Sequence, residues 1–243
     1  MSSELLTFEI VGVAGSGKST LAQILRSQYG CEIADSLHTR LPAHWPYVLH
    51  GLPGLAPLLA ASARNRPLLS WDELKFVLYT AEWHRYLRYE RDGRVSGMVV
   101  LDQGPVFALA CLAWGRKPVT RSSRFATWQQ RMVERWSLEL DALVVLDAPD
   151  ETLLTRIDER TQKHDVKGAE RAQGLELVER HRWAYGQVLR LIEDLGRPRL
   201  LRYDTATMPA AAIAAQVAET LAVGARESDE GRKMAGDVRP EPT

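Results

Sequence analysis

Five short apolar segments recur along the chain, and each has the length of a β-strand. They cover residues 8–11, 31–34, 98–101, 142–146 and 200–203. The segments 98–101 and 142–146 are continuous apolar runs, which are typical of strands buried on both faces of a parallel sheet. Because ligands bind at the carboxyl ends of such strands, the residues that follow them mark the expected position of a site. Four segments are followed directly by an aspartate: Asp35, Asp102, Asp147 and Asp204.

Helical periodicity occupies the intervals between these segments. The spacing predicts helices over 71–91, 122–138 and 209–223, and strands that alternate with helices indicate an α/β fold. The first helix carries many aromatic side chains, which at helical spacing favour a core position. A second interpretation stays open, in which aromatic residues of this helix and of the segment before it stack on a planar ligand. The candidates are Trp45, Trp71, Tyr79 and Trp83.

Two regions differ in composition from the rest of the chain. Residues 41–70 are rich in Pro, Gly, Leu and Ala, which indicates an insertion of loops and short helices. From Ala225 the composition turns to Arg, Glu, Asp, Gly and Pro, which is typical of a disordered tail. We therefore expect one domain over residues 1–224 and a disordered tail over residues 225–243.

Bulk composition narrows the classes of function. The chain has 243 residues with 31 basic and 31 acidic side chains, so a net charge of +0 predicts neither nucleic acid nor an anionic membrane as a partner. Two cysteines, Cys31 and Cys111, are too few for a disulfide framework. We see no secretory signal and no apolar run of membrane-spanning length, so a cytoplasmic enzyme is expected.

One glycine-rich segment carries a specific chemical signal. Residues 12–20 fit the phosphate-binding pattern G-x-x-x-x-G-K-[ST], the P-loop, between a predicted strand and a predicted helix. Its backbone N–H groups are expected to surround a phosphate. Lys18 is expected to reach the β- and γ-phosphates, and the Ser19 hydroxyl is expected to bind Mg²⁺. The other residues expected to bind the nucleotide here are Gly12, Ala14, Gly15, Ser16, Gly17 and Thr20.

A basic segment follows the fourth predicted strand. Arg156 and Arg160 are spaced i, i+4 and therefore share one face of a helix. Near a P-loop, mobile cations suit a lid that closes over transferring phosphate, neutralises its charge and excludes water. A solvated charged helix is the other interpretation, because acidic residues are interleaved. We expect the lid over about residues 156–170.

The order of these motifs resembles the thymidylate kinase and deoxynucleoside kinase branch of P-loop kinases, over roughly residues 6–222. No guanine-specificity segment N-K-x-D is present, which argues against a GTPase. The resemblance implies a P-loop NTPase fold, a three-layer α/β/α sandwich with a five-stranded parallel sheet and a helical lid. It also implies ATP and Mg²⁺ as cofactors, a small-molecule acceptor and a possible homodimer. It rests on the P-loop, on Leu101-Asp102-Gln103-Gly104-Pro105, and on Leu146-Asp147-Ala148-Pro149 followed by Arg-x-x-x-Arg.

The resemblance also implies roles for residues outside the P-loop. Asp35 matches the carboxylate that accepts the proton of the acceptor hydroxyl, although an N-cap or turn role stays open. Asp102 ends a strand opposite the P-loop and matches a carboxylate that acts through Mg²⁺, through its water shell or through the acceptor. Arg156 and Arg160 match the lid arginines. The loop that frames the adenine ring corresponds to Asp204-Thr205-Ala206.

The chain departs from the pattern of this branch after two strands. Gln103 stands where the branch has an arginine, and Arg85, Arg121 or Arg124 could supply the missing contact. Asp35-Ser36 stands where the branch has Glu-Pro. The sequence thus predicts a kinase that transfers the γ-phosphoryl group of ATP to a hydroxyl or monophosphate acceptor, with nucleosides and nucleotides favoured. A kinase for another metabolite and a nucleotide-dependent regulatory ATPase are the alternatives.

Overall fold

A five-stranded parallel sheet forms the centre of the protein. The computed structural model describes residues 5–34, 69–92, 97–114, 118–159 and 170–236, together with Pro46 and Leu49. The strand order is β2-β3-β1-β4-β5, and every neighbouring pair is parallel. All five predicted strands are confirmed, and β1 begins at Leu5 rather than at Phe8. The strands are β1 Leu5–Gly12, β2 Glu32–Ile33, β3 Gly97–Leu101, β4 Ala142–Asp147 and β5 Arg199–Asp204.

Helices connect the strands and cover both faces of the sheet. They are α1 Lys18–Tyr29, α2 Trp71–Asp92, α3 Pro105–Trp114, α4 Ser123–Glu139, α5 Asp150–Glu159, α6 Arg171–Leu195 and α7 Ala210–Gly236, with a short 3-10 helix Pro118–Arg121. Among these described helices, none combines the length and apolar character that crossing a membrane requires. The helices predicted for 71–91 and 122–138 are confirmed within a residue or two at each end, the usual uncertainty of helix boundaries.

Two separate hydrophobic clusters show why the sheet needs helices on both sides. Ile10 and Val11 are neighbours in β1 and both are fully buried, yet they belong to different clusters because successive strand residues face opposite ways. The Ile10 cluster includes α1 and α7, and the Val11 cluster includes α2, α3, α4 and α6. This arrangement confirms the predicted three-layer α/β/α sandwich.

The aromatic stripe of α2 belongs largely to the core. Trp83 is 1% exposed, and its ring centroid lies 4.2 Å from that of Tyr79 and 6.1 Å from that of Trp136. The interpretation of Trp83 as a stacking surface for a ligand is therefore wrong for this conformation, and the core interpretation is correct. Trp71 is 64% exposed and contributes no core surface. Trp45 lies outside the described residues.

The closing helix is longer than its periodicity predicted. The predicted segment ended at residue 223, whereas α7 continues to Gly236. The backbone of residues 225–236 is therefore helical in this structure, and the disordered tail over residues 225–243 stays a prediction. The charged composition of this segment concealed the helix, because periodicity detects only a helix with an apolar face. The division into a domain over 1–224 and a tail stays a prediction, and residues 237–243 lie outside the described part.

Two glycines inside α6 provide a matched test of packing. Gly186 lines a cavity of about 650 Å³ beside the ends of β4 and β5, and a Cβ added to it meets no atom within 4 Å. A Cβ on Gly174 would lie 2.7 Å from Leu154 Cδ2. We expect Gly186→Ala to raise the free energy of unfolding by up to ~1 kcal/mol through helix propensity, and Gly174→Ala to gain less. Urea denaturation of both variants checks this, and a greater loss of stability at Gly186 would contradict it.

Candidate active site

The P-loop joins β1 to α1 and lies against the end of β4. Gly12 has a φ of 151°, and a Cβ on it would lie 2.2 Å from the carbonyl oxygen of Leu146. A side chain at this position would therefore push the loop away from β4. The loop is closed internally by a hydrogen bond from the Ser16 N–H to the Val13 carbonyl at 3.2 Å. The α1 helix then starts at Lys18 with Gly17 as its N-cap.

The ammonium group of Lys18 lies against the start of this loop. Lys18 Nζ donates to the carbonyl oxygen of Gly12 at 2.7 Å and to that of Val13 at 3.0 Å. The predicted phosphate-binding lysine is therefore next to the loop backbone, where a bound phosphate would compete with these carbonyls for its protons. Its contact with the β- and γ-phosphates stays a prediction.

Ser19 and Asp102 meet across the sheet edge, as a shared magnesium site requires. Asp102 follows β3, and its Oδ2 accepts a hydrogen bond from Ser19 Oγ at 3.3 Å. The other oxygen, Asp102 Oδ1, is buried and has no hydrogen-bond partner among the described residues. A buried carboxylate oxygen left in this way is costly unless a cation or its water shell satisfies it.

The oxygen donors of this pair fit Mg²⁺. Mg²⁺ prefers oxygen ligands and is commonly bound through one or two protein groups together with substrate phosphates and waters. In the described part of the chain, no group of three or more His, Cys, Asp or Glu side chains could hold a metal by itself. The Ser19–Asp102 pair suits a Mg²⁺ ion whose other ligands are phosphate oxygens and waters.

Arg156 bridges the P-loop and the loop after β5. Its guanidinium donates to Thr205 Oγ1 at 2.8 Å, to the Thr205 carbonyl at 2.9 Å and, at 3.4 Å, to the carbonyl of Gly15. In this conformation the arginine from α5 therefore connects two segments that were predicted to hold the nucleotide. Arg160 lies outside the described residues, so the paired lid arginines and the lid itself stay predictions.

The loop after β5 is tied to the end of β4. The Thr205 N–H donates to the Asp147 carbonyl at 2.9 Å, and the Ala206 N–H donates to Asp204 Oδ1 at 2.8 Å. The Asp204 side chain thus shapes its own turn. The predicted role of Asp204 and Ala206 in framing the adenine ring stays a prediction.

Not every aspartate that ends a strand faces the ligand site. Asp147 forms an ion pair with Arg182 of α6, with 2.9 Å between Asp147 Oδ2 and Arg182 Nε. Arg182 also pairs with Asp150 and donates to the Ala148 carbonyl at 2.6 Å. Asp147 therefore connects β4 to α6 and is not available as a metal ligand in this conformation.

Several predicted acceptor-side residues cannot be placed. Asp35, the candidate base, lies outside the described residues, as does nearly all of the 41–70 insertion. Among the candidates to replace the arginine absent at Gln103, Arg85 forms an ion pair with Glu82 at 3.6 Å. Arg121 and Arg124 are exposed. The structure does not select one of these three.

Sequence reasoning missed Glu9, which is fully buried in β1. Its carboxyl oxygens accept hydrogen bonds at 2.9 Å from the N–H groups of Val106 and Phe107, at the start of α3. Burial raises the pKa of Glu9 to about 8, although the N–H groups of Phe107, Val106 and Gly104 act to lower it. The signal in the sequence that could have found this buried carboxyl group was the position of Glu9 between the apolar residues Phe8 and Ile10.

We expect the Glu9 pKa to make stability fall with rising pH. The ordinary pKa is 4.5, so between 4.5 and about 8 the folded protein keeps a proton that the unfolded chain releases. Stability should decline across this window by at most ~1.4 kcal/mol per pH unit and level off above it. Tyr79, Tyr185 and Cys111 have pKa values raised by burial and do not titrate there. Urea denaturation between pH 5.5 and 9 should show a flatter profile for Glu9→Gln; identical slopes would contradict this expectation.

Comparisons with known proteins were made by sequence and by structure. No protein-family model matches the sequence, and no curated protein matches it. Among solved structures, thymidylate kinase from Candida albicans aligns over 92% of this chain and 93% of its own, with 14% identity and a TM-score of 0.54. Deoxyadenosine kinase from M. mycoides with bound dATP aligns over 88% of this chain and 99% of its own, with 14% identity and a TM-score of 0.52.

These alignments define the class of fold. The chain has the P-loop NTPase fold that these thymidylate kinase and deoxyadenosine kinase structures share, which confirms the fold predicted from the motifs. A second structure of the M. mycoides enzyme, with the products dCMP and dCDP, aligns equally well, with 13% identity and a TM-score of 0.52. At such identities the likeness establishes the fold and leaves the reaction to the site residues.

Proposed function

We propose that the protein is an ATP-dependent small-molecule kinase that transfers a γ-phosphoryl group to a hydroxyl or monophosphate acceptor. A nucleoside or nucleotide is the favoured acceptor. The observation that carries the proposal is the Ser19–Asp102 contact beside the P-loop, with Asp102 Oδ1 buried and without a hydrogen-bond partner among the described residues. The deoxynucleoside substrates named for the proteins of the same fold support the acceptor class.

The residues at the P-loop bind and orient the phosphates. Backbone N–H groups from Gly15 to Ser19 are donors for the β-phosphate, and Lys18 adds a positive charge. Ser19 and Asp102 would hold Mg²⁺, which supplies charge neutralisation for the transferring group. Phosphoryl transfer requires little covalent chemistry from the protein, so most of the rate enhancement comes from positioning of the reactants and from electrostatic stabilisation.

The acceptor side of the proposal depends on Asp35 and on the lid. Asp35 orients the acceptor hydroxyl or removes its proton, and Arg156 and Arg160 stabilise charge on the phosphoryl group. Arg156 would have to exchange its contacts with Thr205 and Gly15 for contacts with phosphate as the lid closes. A cytoplasmic location and a homodimer stay predictions from the sequence.

Asp35→Asn tests the base assignment. The amide keeps the shape of the side chain but cannot accept the proton, so turnover should fall by about 100-fold or more, the usual contribution of a general base. ATP affinity should change little, because Asp35 is assigned to the acceptor. Steady-state kinetics and ATP binding measured on the same preparation check both statements. Unchanged turnover would remove Asp35 from this role.

Acceptor-dependent formation of ADP tests the function itself. The purified protein is given Mg-ATP with a panel of nucleosides, nucleoside monophosphates, aminoglycosides and other hydroxylated metabolites. We expect slow ADP formation without acceptor and strong stimulation by one class, because acceptor binding completes lid closure. Nucleoside stimulation supports the favoured acceptor, and stimulation by another class assigns a different metabolite. ATP binding with no stimulation by any compound would contradict the kinase proposal.

A further inference from the structure

Glu9 accepts hydrogen bonds from the start of α3, the helix that follows the turn carrying Asp102. This residue lies in β1, and its oxygens reach the first turn of α3. Oε2 accepts the Val106 N–H and Oε1 accepts the Phe107 N–H, both at 2.9 Å. The free N–H groups at a helix start need acceptors, and the two oxygens of the Glu9 carboxyl group supply two of them. Glu9 thus fixes the start of α3 relative to the strand that leads into the P-loop.

Gly104 is the residue that allows this approach. A Cβ on Gly104 would lie 2.4 Å from Glu9 Cδ and 2.6 Å from Glu9 Oε2. Any other side chain would therefore displace the carboxyl group from the helix start. The Gly104-Pro105 dipeptide that follows Gln103 has a structural explanation, because the glycine makes room for Glu9 and the proline is the first residue of α3.

A second contact holds the same turn. Tyr79 of α2 is buried, and its hydroxyl donates to the Gln103 carbonyl at 2.6 Å. Gln103 directly follows Asp102. The backbone between Asp102 and α3 is thus fixed by a hydrogen bond from α2 and by the Glu9 carboxyl group from β1.

We propose that Glu9 and Tyr79 are positioning residues that set the separation of Asp102 from Ser19 and thereby the Mg²⁺ affinity of the nucleotide complex. The inference rests on the nucleotide site of the proposed function. Within the described part of the chain, the Asp102 side chain forms one hydrogen bond, with Ser19, so its position depends on the turn that carries it. Partners behind a metal ligand commonly change metal affinity by about 10- to 100-fold when removed.

Two variants separate positioning from general stability. Glu9→Gln keeps the volume, but its amide nitrogen cannot accept, so one of the two α3 N–H groups loses its partner. Tyr79→Phe keeps the ring and removes only the hydroxyl that donates to Gln103. Ser122→Ala is the matched control, because Ser122 caps α4 by accepting the Phe125 N–H at 3.2 Å and is remote in sequence from the P-loop.

The measurement is ATP affinity by calorimetry, with saturating Mg²⁺ and with EDTA, after thermal melting has shown that each variant is folded. The Mg²⁺ enhancement is the ratio of the ATP affinity with saturating Mg²⁺ to the ATP affinity with EDTA. We expect this enhancement to fall about tenfold in Glu9→Gln and by a smaller factor in Tyr79→Phe. Affinity in EDTA should stay within about twofold of wild type in both, since the P-loop amides and Lys18 are unchanged. Ser122→Ala should keep the full enhancement.

Several results would overturn the inference. If both folded variants keep the wild-type enhancement, Glu9 and Tyr79 do not position the metal ligand, and the kinase proposal stands without them. If Ser122→Ala loses enhancement as well, the effect reports stability rather than positioning. If the wild-type protein itself shows no Mg²⁺ enhancement, the inference and the proposed function both fail. Should Glu9→Gln not fold, an unchanged Tyr79→Phe is sufficient to reject the inference.

Discussion

Lys18→Ala is expected to lower turnover by about 10³-fold or more, the usual cost of removing a donor that stabilises developing charge. The Lys18 ammonium lies against the carbonyl oxygens of Gly12 and Val13, at the start of the phosphate-binding loop. No other lysine is placed within the P-loop, so the variant loses a charge that the loop amides cannot replace. ATP affinity should fall as well, because the lysine contacts phosphate in the ground state.

The control for this prediction is Lys75→Ala. Lys75 is on α2 and forms an exposed i, i+3 ion pair with Asp72 at 2.5 Å. Such pairs contribute little to stability, so the variant should keep wild-type turnover. Both variants are compared by steady-state ADP formation at saturating ATP. Turnover of Lys18→Ala within tenfold of wild type would mean that the P-loop lysine is not used in catalysis.

Asp102→Asn is expected to lower turnover by about 10³-fold at low Mg²⁺, with partial recovery as the Mg²⁺ concentration rises. Asparagine keeps the shape and can still accept from Ser19 Oγ, but it removes the negative charge that a cation needs. The half-saturating Mg²⁺ concentration should therefore rise by about tenfold or more. A loss of turnover that does not depend on Mg²⁺ would contradict a metal role for Asp102.

Asp147→Asn is the matched control for the aspartate prediction. Asp147 ends the strand β4 as Asp102 follows β3, but it pairs with Arg182. Its replacement should lower the free energy of unfolding and leave the Mg²⁺ dependence unchanged. A Mg²⁺ titration of both variants, with urea denaturation in parallel, separates the two roles.

Much of the architecture was predictable because it depends on patterns that the chain shows locally. Short segments rich in apolar residues predicted all five strands, and two of these segments are the continuous apolar runs that are typical of buried parallel strands. The P-loop was predictable because its glycines and Lys18 occupy fixed spacings. The pairing of Ser19 with Asp102 was expected from the resemblance to the kinase branch, and in the structure it depends on β1 and β3 being neighbours that end at the same edge of the sheet.

Other features were not predictable because they depend on contacts between distant residues. The Glu9 carboxyl group meets α3 nearly a hundred positions away in the sequence, and only the fold shows that its neighbour must be Gly104. Thr205 was included in the adenine loop, but its hydrogen bonds with Arg156 required the packing of α5 against the loop after β5. Trp83 shows what helical periodicity cannot decide, because the same spacing fits an aromatic side chain in the core and one that stacks on a ligand.

The proposed transfer of a phosphoryl group to an acceptor is tested most directly by following the γ-phosphate of ATP. The protein is incubated with Mg²⁺ and ATP labelled in the γ-phosphate, together with the acceptor class that gives the strongest stimulation, and the products are separated. For a kinase, we predict that the label appears in the acceptor in an amount equal to the ADP formed, and that Lys18→Ala abolishes this transfer. Label recovered only as inorganic phosphate, with no labelled acceptor, would identify an ATPase and contradict the kinase assignment.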